Sequence, residues 1–214
     1  MSDNTPNTSI KERDITFYFC VLCVILFFLD LITGFKLTLL GCKDNTLILQ
    51  NFEFYRLLTC NLLHRNFLHI ISNILLIIYA GSTVETFYKK SHYILLLTVL
   101  GTFSYLYSLA FTTGNSVGAS GIAFGLTGCL IALSSHTTHP TKYRITCSII
   151  TLFSFVSGFL SNNTDNAAHI GGLIAGILLG YASFIHNKLI ALLISCAALV
   201  PVFTIIIKFY NGCY

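Results

Sequence analysis

Thr112-Thr113-Gly114-Asn115-Ser116-Val117-Gly118-Ala119-Ser120-Gly121 runs straight into an apolar stretch, residues 122–133. Those 12 residues rise roughly 18 Å at 1.5 Å per residue. A hydrocarbon core is about 30 Å thick, so the stretch is too short to cross it. Its start, and Ser120 with it, is expected to lie recessed below a membrane surface. The polar residues before it then need a watered cavity walled by protein, because non-helical backbone is tolerated at depth only there.

The rest of the chain agrees with a membrane setting. Of 214 residues, 55% are hydrophobic and 9% charged, against roughly 25% charged in soluble domains. The mean hydropathy is +0.78. A soluble globular domain is excluded, as are disordered, collagen-like and disulfide-scaffold classes. The net charge of +4 forms no basic stripe, so no nucleic-acid partner is expected. Seven apolar segments are read, near 15–32, 67–79, 93–111, 121–133, 145–160, 167–185 and 189–207. The polar tail 1–14 lacks a signal-peptide pattern, so the first helix is taken as retained. The expected fold class is an all-α polytopic membrane bundle.

Charge gives the orientation. With the N-terminus cytosolic, Lys11, Arg13, Lys89, Lys90, Lys142, Arg144 and Lys188 share the inner side. Lys36, Lys43, Arg56, Arg65 and Lys208 fall outside, four of them in the long first loop 33–65. The positive-inside rule favours this arrangement. The first loop carries apolar patches at 47–49 and 52–58, as expected of an element lying partly in the membrane interface. Cys20 and Cys23 form a CxxC in an apolar helix with no second pair at zinc spacing. Cys42 and Cys60 share the first loop and are disulfide candidates if it faces an oxidising compartment.

Polar residues inside a membrane segment are costly and mark function. Asp30 reads as an interfacial anchor or a partner for a basic residue, and Glu85 as a cap on backbone groups at a helix end. Three other places converge. Ser120 opens the fourth segment within Gly118-Ala119-Ser120-Gly121, Ala168-His169 opens the sixth, and His64, His69 and Asn73 mark the second. These segments all enter from the outer face, so their polar groups share one depth. Gly172, Gly176 and Gly180 follow His169 on one helical face. Gly121, Gly125 and Gly128 make a matching strip, and such strips let membrane helices approach closely.

The residue types fit acyl transfer. A serine needs a base within hydrogen-bond reach, and His169 can take its proton and return it to a leaving amine. Asp165 is read as one turn away near the loop, so a dyad is expected rather than a triad. Phe124, one turn after Ser120, is placed to pack on the imidazole. The Ser120 backbone N–H, with Asn73 and His69, would stabilise an oxyanion. No HExxH occurs, and neither metal nor cofactor is called for.

At these residues the sequence resembles the rhomboid intramembrane serine proteases. The pieces are Tyr55-Arg56 with Thr59, then His64, His69 and Asn73, then Gly81 and Glu85, then Gly118-Ala119-Ser120-Gly121, then Ala168-His169 with Gly172 and Gly176. The resemblance implies Ser120 as nucleophile, His169 as base, and His69 and Asn73 as oxyanion helpers. It also implies a six-helix core over 15–187 and a seventh, C-terminal helix in 188–214, the six-plus-one arrangement of secretase-type members. Expected substrates are single-pass membrane proteins, cut in the bilayer at small residues near the outer end of their helix. Where the family often has Trp-Arg and Tyr, this chain has Tyr55-Arg56 and Phe124. Two rival readings are a catalytically silent rhomboid-like binding or quality-control protein and a seven-helix receptor or transporter. Oligomeric state and organelle stay open.

Overall fold

The computed structural model describes residues 14–160, 164–183 and 200–208. Residues 1–13 of the expected tail, the 162–163 loop and most of the expected seventh segment lie outside the described residues; 200–208 are helical. The described chain contains no strand. Its long elements are α1 (Asp14–Ile32), α5 (Phe67–Val84), α6 (Lys90–Phe111), α7 (Ser120–Leu133), α8 (Pro140–Leu160) and α9 (Asn166–Ala182). Three short helices sit in the first loop: α2 (Lys36–Gly41), α3 (Asn45–Gln50) and α4 (Arg56–Thr59). The molecule is an all-α membrane-type bundle. By length and apolarity α1, α5 with its following turn, and α6 can each cross a membrane, whereas the stretches built on α7 and α9 are shorter.

Local chemistry sets the starts. The Asn66 side chain accepts from His69 N and opens α5, Asp44 accepts from Leu47 N and opens α3, and Asp165 accepts from Ala168 N and opens α9. Each satisfies one donor that the first helical turn leaves orphaned. α8 begins on Pro140, whose missing N–H costs nothing at that position; its apolar pattern had suggested a start near 145. α5 runs to Val84, beyond the expected 79; within that extension Gly81 leaves room for the Tyr93 hydroxyl, which donates to its carbonyl at 3.2 Å. α1 borrows its cap. Glu85, at the end of α5, accepts from Ile15 N (2.9 Å), Thr16 N (3.1 Å) and Thr16 Oγ1 (2.7 Å).

α7 is the axis of the bundle, with nearly every residue from Gly121 to Leu133 buried. α9 lies against it with no side chain between the backbones. A Cβ on Gly172 would strike the Gly121 carbonyl, and one on Gly176 the Gly125 carbonyl. One on Gly128 would come within 2.6 Å of Leu173 O. α8 is the least embedded, presenting Ile149, Leu152, Phe153 and Val156 outward.

The first loop is held by its own buried charge. Arg56, 3% exposed, donates to Glu53 Oε2 (2.6 Å), Cys42 O (3.0 Å) and Leu39 O (3.2 Å). Thr59 Oγ1 adds a bond to Gly41 O at 2.9 Å. Leu39, Leu40, Phe52 and Phe54 stay exposed, as an interfacial element requires. Two readings change here. Asp30 has no basic partner among the described residues: it is fully buried and accepts from Thr38 N (3.1 Å) and Thr38 Oγ1 (2.5 Å), tying α1 to α2. Cys42 and Cys60 are both buried free thiols, so they do not bridge.

Candidate active site

Ser120 is the first residue of α7 and half-buried. The loop before it is clamped residue by residue. Gly118 N donates to Cys60 O at 2.9 Å, and Gly118 O accepts from the Tyr105 hydroxyl at 3.0 Å. Ala119 N donates to His64 Nε2 at 3.4 Å. Lys43 and Ser116 exchange backbone bonds of 2.9 and 3.1 Å, an isolated antiparallel bridge between the first loop and this one. Gly118 has φ +137°, a conformation that disfavours any side chain. A Cβ there would also lie 2.6 Å from the His69 ring.

His169 stands in the first turns of α9, 7% exposed. Its ring lies flat on Phe124, centroids 4.2 Å apart and planes 12° off parallel. Phe155 of α8 meets both rings edge-on, at 5.3 Å from Phe124 and 6.2 Å from His169. Ser120 is one turn before Phe124, and its neighbour Gly121 abuts Ala168 and Gly172 on either side of His169. The α7–α9 seam therefore brings the serine and the imidazole to the same end of the same interface. Ser120 Oγ makes no hydrogen bond among the described residues; such contacts commonly tighten only when substrate is bound. His169 Nδ1 is buried without a partner, so no carboxylate orients the ring from that side.

α5 supplies the third wall. His69 is half-buried against Gly118, and Asn73 Nδ2 would lie 3.5 Å from a Gly118 Cβ. Asn73 is 6% exposed, and its Nδ2 donor has no acceptor. A buried donor left unsatisfied costs roughly 1–3 kcal/mol. Beside a candidate nucleophile it is the kind of group that waits for a developing charge.

Above the seam lies a cavity of about 540 Å³ lined by Arg65, residues 111–116, Thr164 and Asp165. Residues 112–116, expected to line a watered cavity, line this open space, whose walls include neither Ser120 nor His169. Sequence reasoning overlooked several groups around it. His64, in the sequence one of the polar marks of the second segment with no role assigned, has its ring 5.2 Å from that of His69, and burial, with His69 adding to it, pushes its pKa down to about 3. Lys43 was counted as an outer cation. It is fully buried, donates to Gly114 O (3.0 Å), Thr112 Oγ1 (3.1 Å) and Thr112 O (3.3 Å), and burial lowers its pKa to about 8 against the pull of Asp165. Asp165 is more than a loop residue: Ser108 and Ser116 both donate to it, at 2.5 and 2.7 Å. A lysine next to the turn residues Gly41 and Asp44 gave no periodic signal that it was buried.

A profile of the Rhomboid domain matches residues 51–186. The chain is 34% identical over 168 residues to the rhomboid protease GluP of Bacillus subtilis (strain 168), an overlap of 75% of this chain and 33% of that one. It is 33% identical over 154 residues to RHOMBOID-like protein 1 of Arabidopsis thaliana, covering 70% and 39%. RHOMBOID-like protein 5 of the same plant is 34% identical over 158 residues, covering 70% and 50%. The chain matches a third to a half of the length of these relatives. Since the matched stretch holds α5, α7 and α9 together with the loops that clamp them, the protein is an integral membrane protein and belongs to the rhomboid family.

Proposed function

We propose that the chain is an intramembrane serine endopeptidase working through a Ser120–His169 dyad. Ser120 Oγ attacks the scissile carbonyl carbon while its proton passes to the imidazole of His169, forming the C–O bond of a tetrahedral intermediate. The oxyanion is met by Asn73 Nδ2, by His69 and by the Ser120 backbone N–H at the positive end of α7. Collapse breaks the C–N bond as His169 returns the proton to the leaving amine. Water from the 112–116 cavity, deprotonated by His169, then attacks the acyl-enzyme and releases Ser120. Nucleophile, base and oxyanion donors together must remove roughly 8 kcal/mol or more of barrier.

The observation that carries this reading is the orphaned Asn73 donor facing Gly118, beside a seam that sets Ser120 and a ring-stacked His169 at one level. The substrate class is single-pass membrane proteins, which a recessed serine under a polar mouth suits. The Lys and Arg distribution supports a cytosolic N-terminus and a site open to the outer or lumenal side.

The test is cleavage of a tagged single-pass reporter in liposomes by wild type, Ser120→Ala and His169→Ala. Product from wild type and none above background from either variant is expected. Equal cutting by the variants would overturn the dyad. Failure of the wild type on a panel of reporters, with no labelling of Ser120 by a fluorophosphonate, would transfer the chain to the silent-scaffold reading.

A further inference from the structure

Asp165 occupies a position that helix capping does not explain. Its Oδ1 accepts from Ala168 N at 3.1 Å, and its carbonyl accepts from His169 N at 3.2 Å. Asn or Ser caps a helix about as well as Asp does. The second oxygen, Oδ2, is used differently. It takes Ser116 Oγ at 2.7 Å from the loop that leads to Ser120, and Ser108 Oγ at 2.5 Å from the end of α6. Ser108 in turn contacts the Thr112 hydroxyl at 3.0 Å, and Thr112 Oγ1 accepts from Lys43 Nζ at 3.1 Å. A chain of two hydroxyls thus connects a buried ammonium in the first loop to the carboxylate that begins the His169 helix.

His169 is the fourth residue of α9, about 6 Å along the axis from its cap at 1.5 Å per residue. The helix start carries roughly half a positive charge, which opposes a positive imidazolium formed there. A carboxylate at the cap offsets that opposition; a neutral cap does not. We propose that Asp165 is a positioning residue for the general base, locking the His169 helix to the Ser120 loop and supporting with its charge the imidazolium formed during catalysis. This rests on the Ser120–His169 reading above.

Other charges bear on the same place. Lys43 of the first loop is within electrostatic range of Asp165 and of Lys208, and Arg65 lines the same cavity as Asp165. Tyr105 of α6 and Cys60 of the first loop lie within electrostatic range of Asp165. The imidazole is within range of His69 on α5, and touches the uncharged rings of Phe124 and Phe155 on α7 and α8.

The experiment compares wild type, Asp165→Asn, Asp165→Ser and Asp165→Ala in liposomes between pH 5 and 9, reading reporter cleavage, fluorophosphonate labelling of Ser120 and thermal unfolding. Asn and Ser keep a cap and remove the charge. Both are expected to unfold near the wild-type temperature and keep KM, with kcat reduced about 2- to 10-fold. Their acid limb should move to lower pH by about 0.2–0.7 unit, because the imidazolium forms less readily without its counter-charge. Ala should lose stability as well as rate. Wild-type kcat and pH profile in the Asn and Ser variants would overturn the inference and leave Asp165 a plain cap. Unfolding of both would overturn it too, making the carboxylate structural. A wild type that neither cuts nor labels brings down the dyad reading instead, an outcome distinct from an active wild type matched by Asp165→Asn.

Discussion

The α7–α9 seam and the polar collar above it hold the same site by opposite means. In the seam, backbone meets backbone: a Cβ on Gly172 or Gly176 would strike a carbonyl of α7, and nothing polar mediates the contact. In the collar, side chains do the holding. Lys43 and His64 tie the first loop to the 112–119 loop through hydrogen bonds, and Asp165 ties Ser116 of that loop to the start of α9. Gly114 in the collar has nothing within 4 Å of a Cβ built on it. The contrast teaches that the close approach of the Ser120 and His169 helices is fixed by shape, whereas the loops around them are held by polar side chains.

The largest effect should come from filling the seam. Gly172→Val places branched carbon where the Gly121 carbonyl lies, and backbone atoms cannot yield as a side chain does. A loss of at least about 3 kcal/mol is expected, the upper part of the overpacking range. Gly114→Ala should leave stability within about 0.5 kcal/mol, as for other surface changes. The chain has no Trp, so unfolding is best followed by circular dichroism or by dye reaction at buried Cys129. Equal stabilities for the two variants would break the comparison.

What the sequence made legible follows the same division. The seam was readable, since glycines at 172, 176 and 180 recur at helical spacing behind the one histidine on that helix, and the apolar stretch after Ser120 is short, as α7 is in the fold. Both are consequences of period and length. The collar was not. Lys43 and Ser116 are paired across two loops with no repeat to announce it, so Lys43 passed for a solvent-side cation. Asp30 reads in the sequence as an interfacial anchor or a partner for a basic residue, and in the fold it binds Thr38. His64 is marked by the sequence as a polar residue before the second helix, but its bond to Ala119 N appears only when the chain is folded.

A second effect separates the two regions by pH. His64 is 1% exposed and its pKa lies near 3, lowered first by burial and then by His69. An unfolded histidine titrates near 6.5. Between these values the unfolded chain binds a proton that the folded chain refuses, so stability falls as pH drops through the window. The slope is about 1.4 kcal/mol per pH unit; above about 6.5 the group contributes no pH dependence. Gln at 64 retains an acceptor for Ala119 N and does not titrate. His64→Gln should therefore match wild type more closely at pH 5 than at pH 7.5, flattening the stability curve by about 2 kcal/mol at pH 5. Parallel curves for the two proteins would show that some other group governs the acid side. The glycine–carbonyl contacts of the seam carry no titratable group and should be indifferent.

The smallest effect lies where the regions meet, at the Phe124–His169 stack. Phe124 belongs to the seam by position and to the proposed chemistry by contact, since its ring lies flat on the His169 imidazole at 4.2 Å. A ring pair of this kind is worth about 0.5–1.5 kcal/mol beyond the area it buries. Phe124→Leu keeps an apolar side chain of similar reach but leaves the imidazole free to turn. If orientation rather than burial is what the ring provides, kcat should fall about 2- to 10-fold with KM unchanged and little loss of stability. Phe124→Tyr, which preserves the ring, should stay within about twofold of wild type, because flat contact and not a hydroxyl does the orienting. A loss of stability in Phe124→Leu with kcat intact would assign the ring wholly to the seam. It would also leave Asp165 as the group that sets the base.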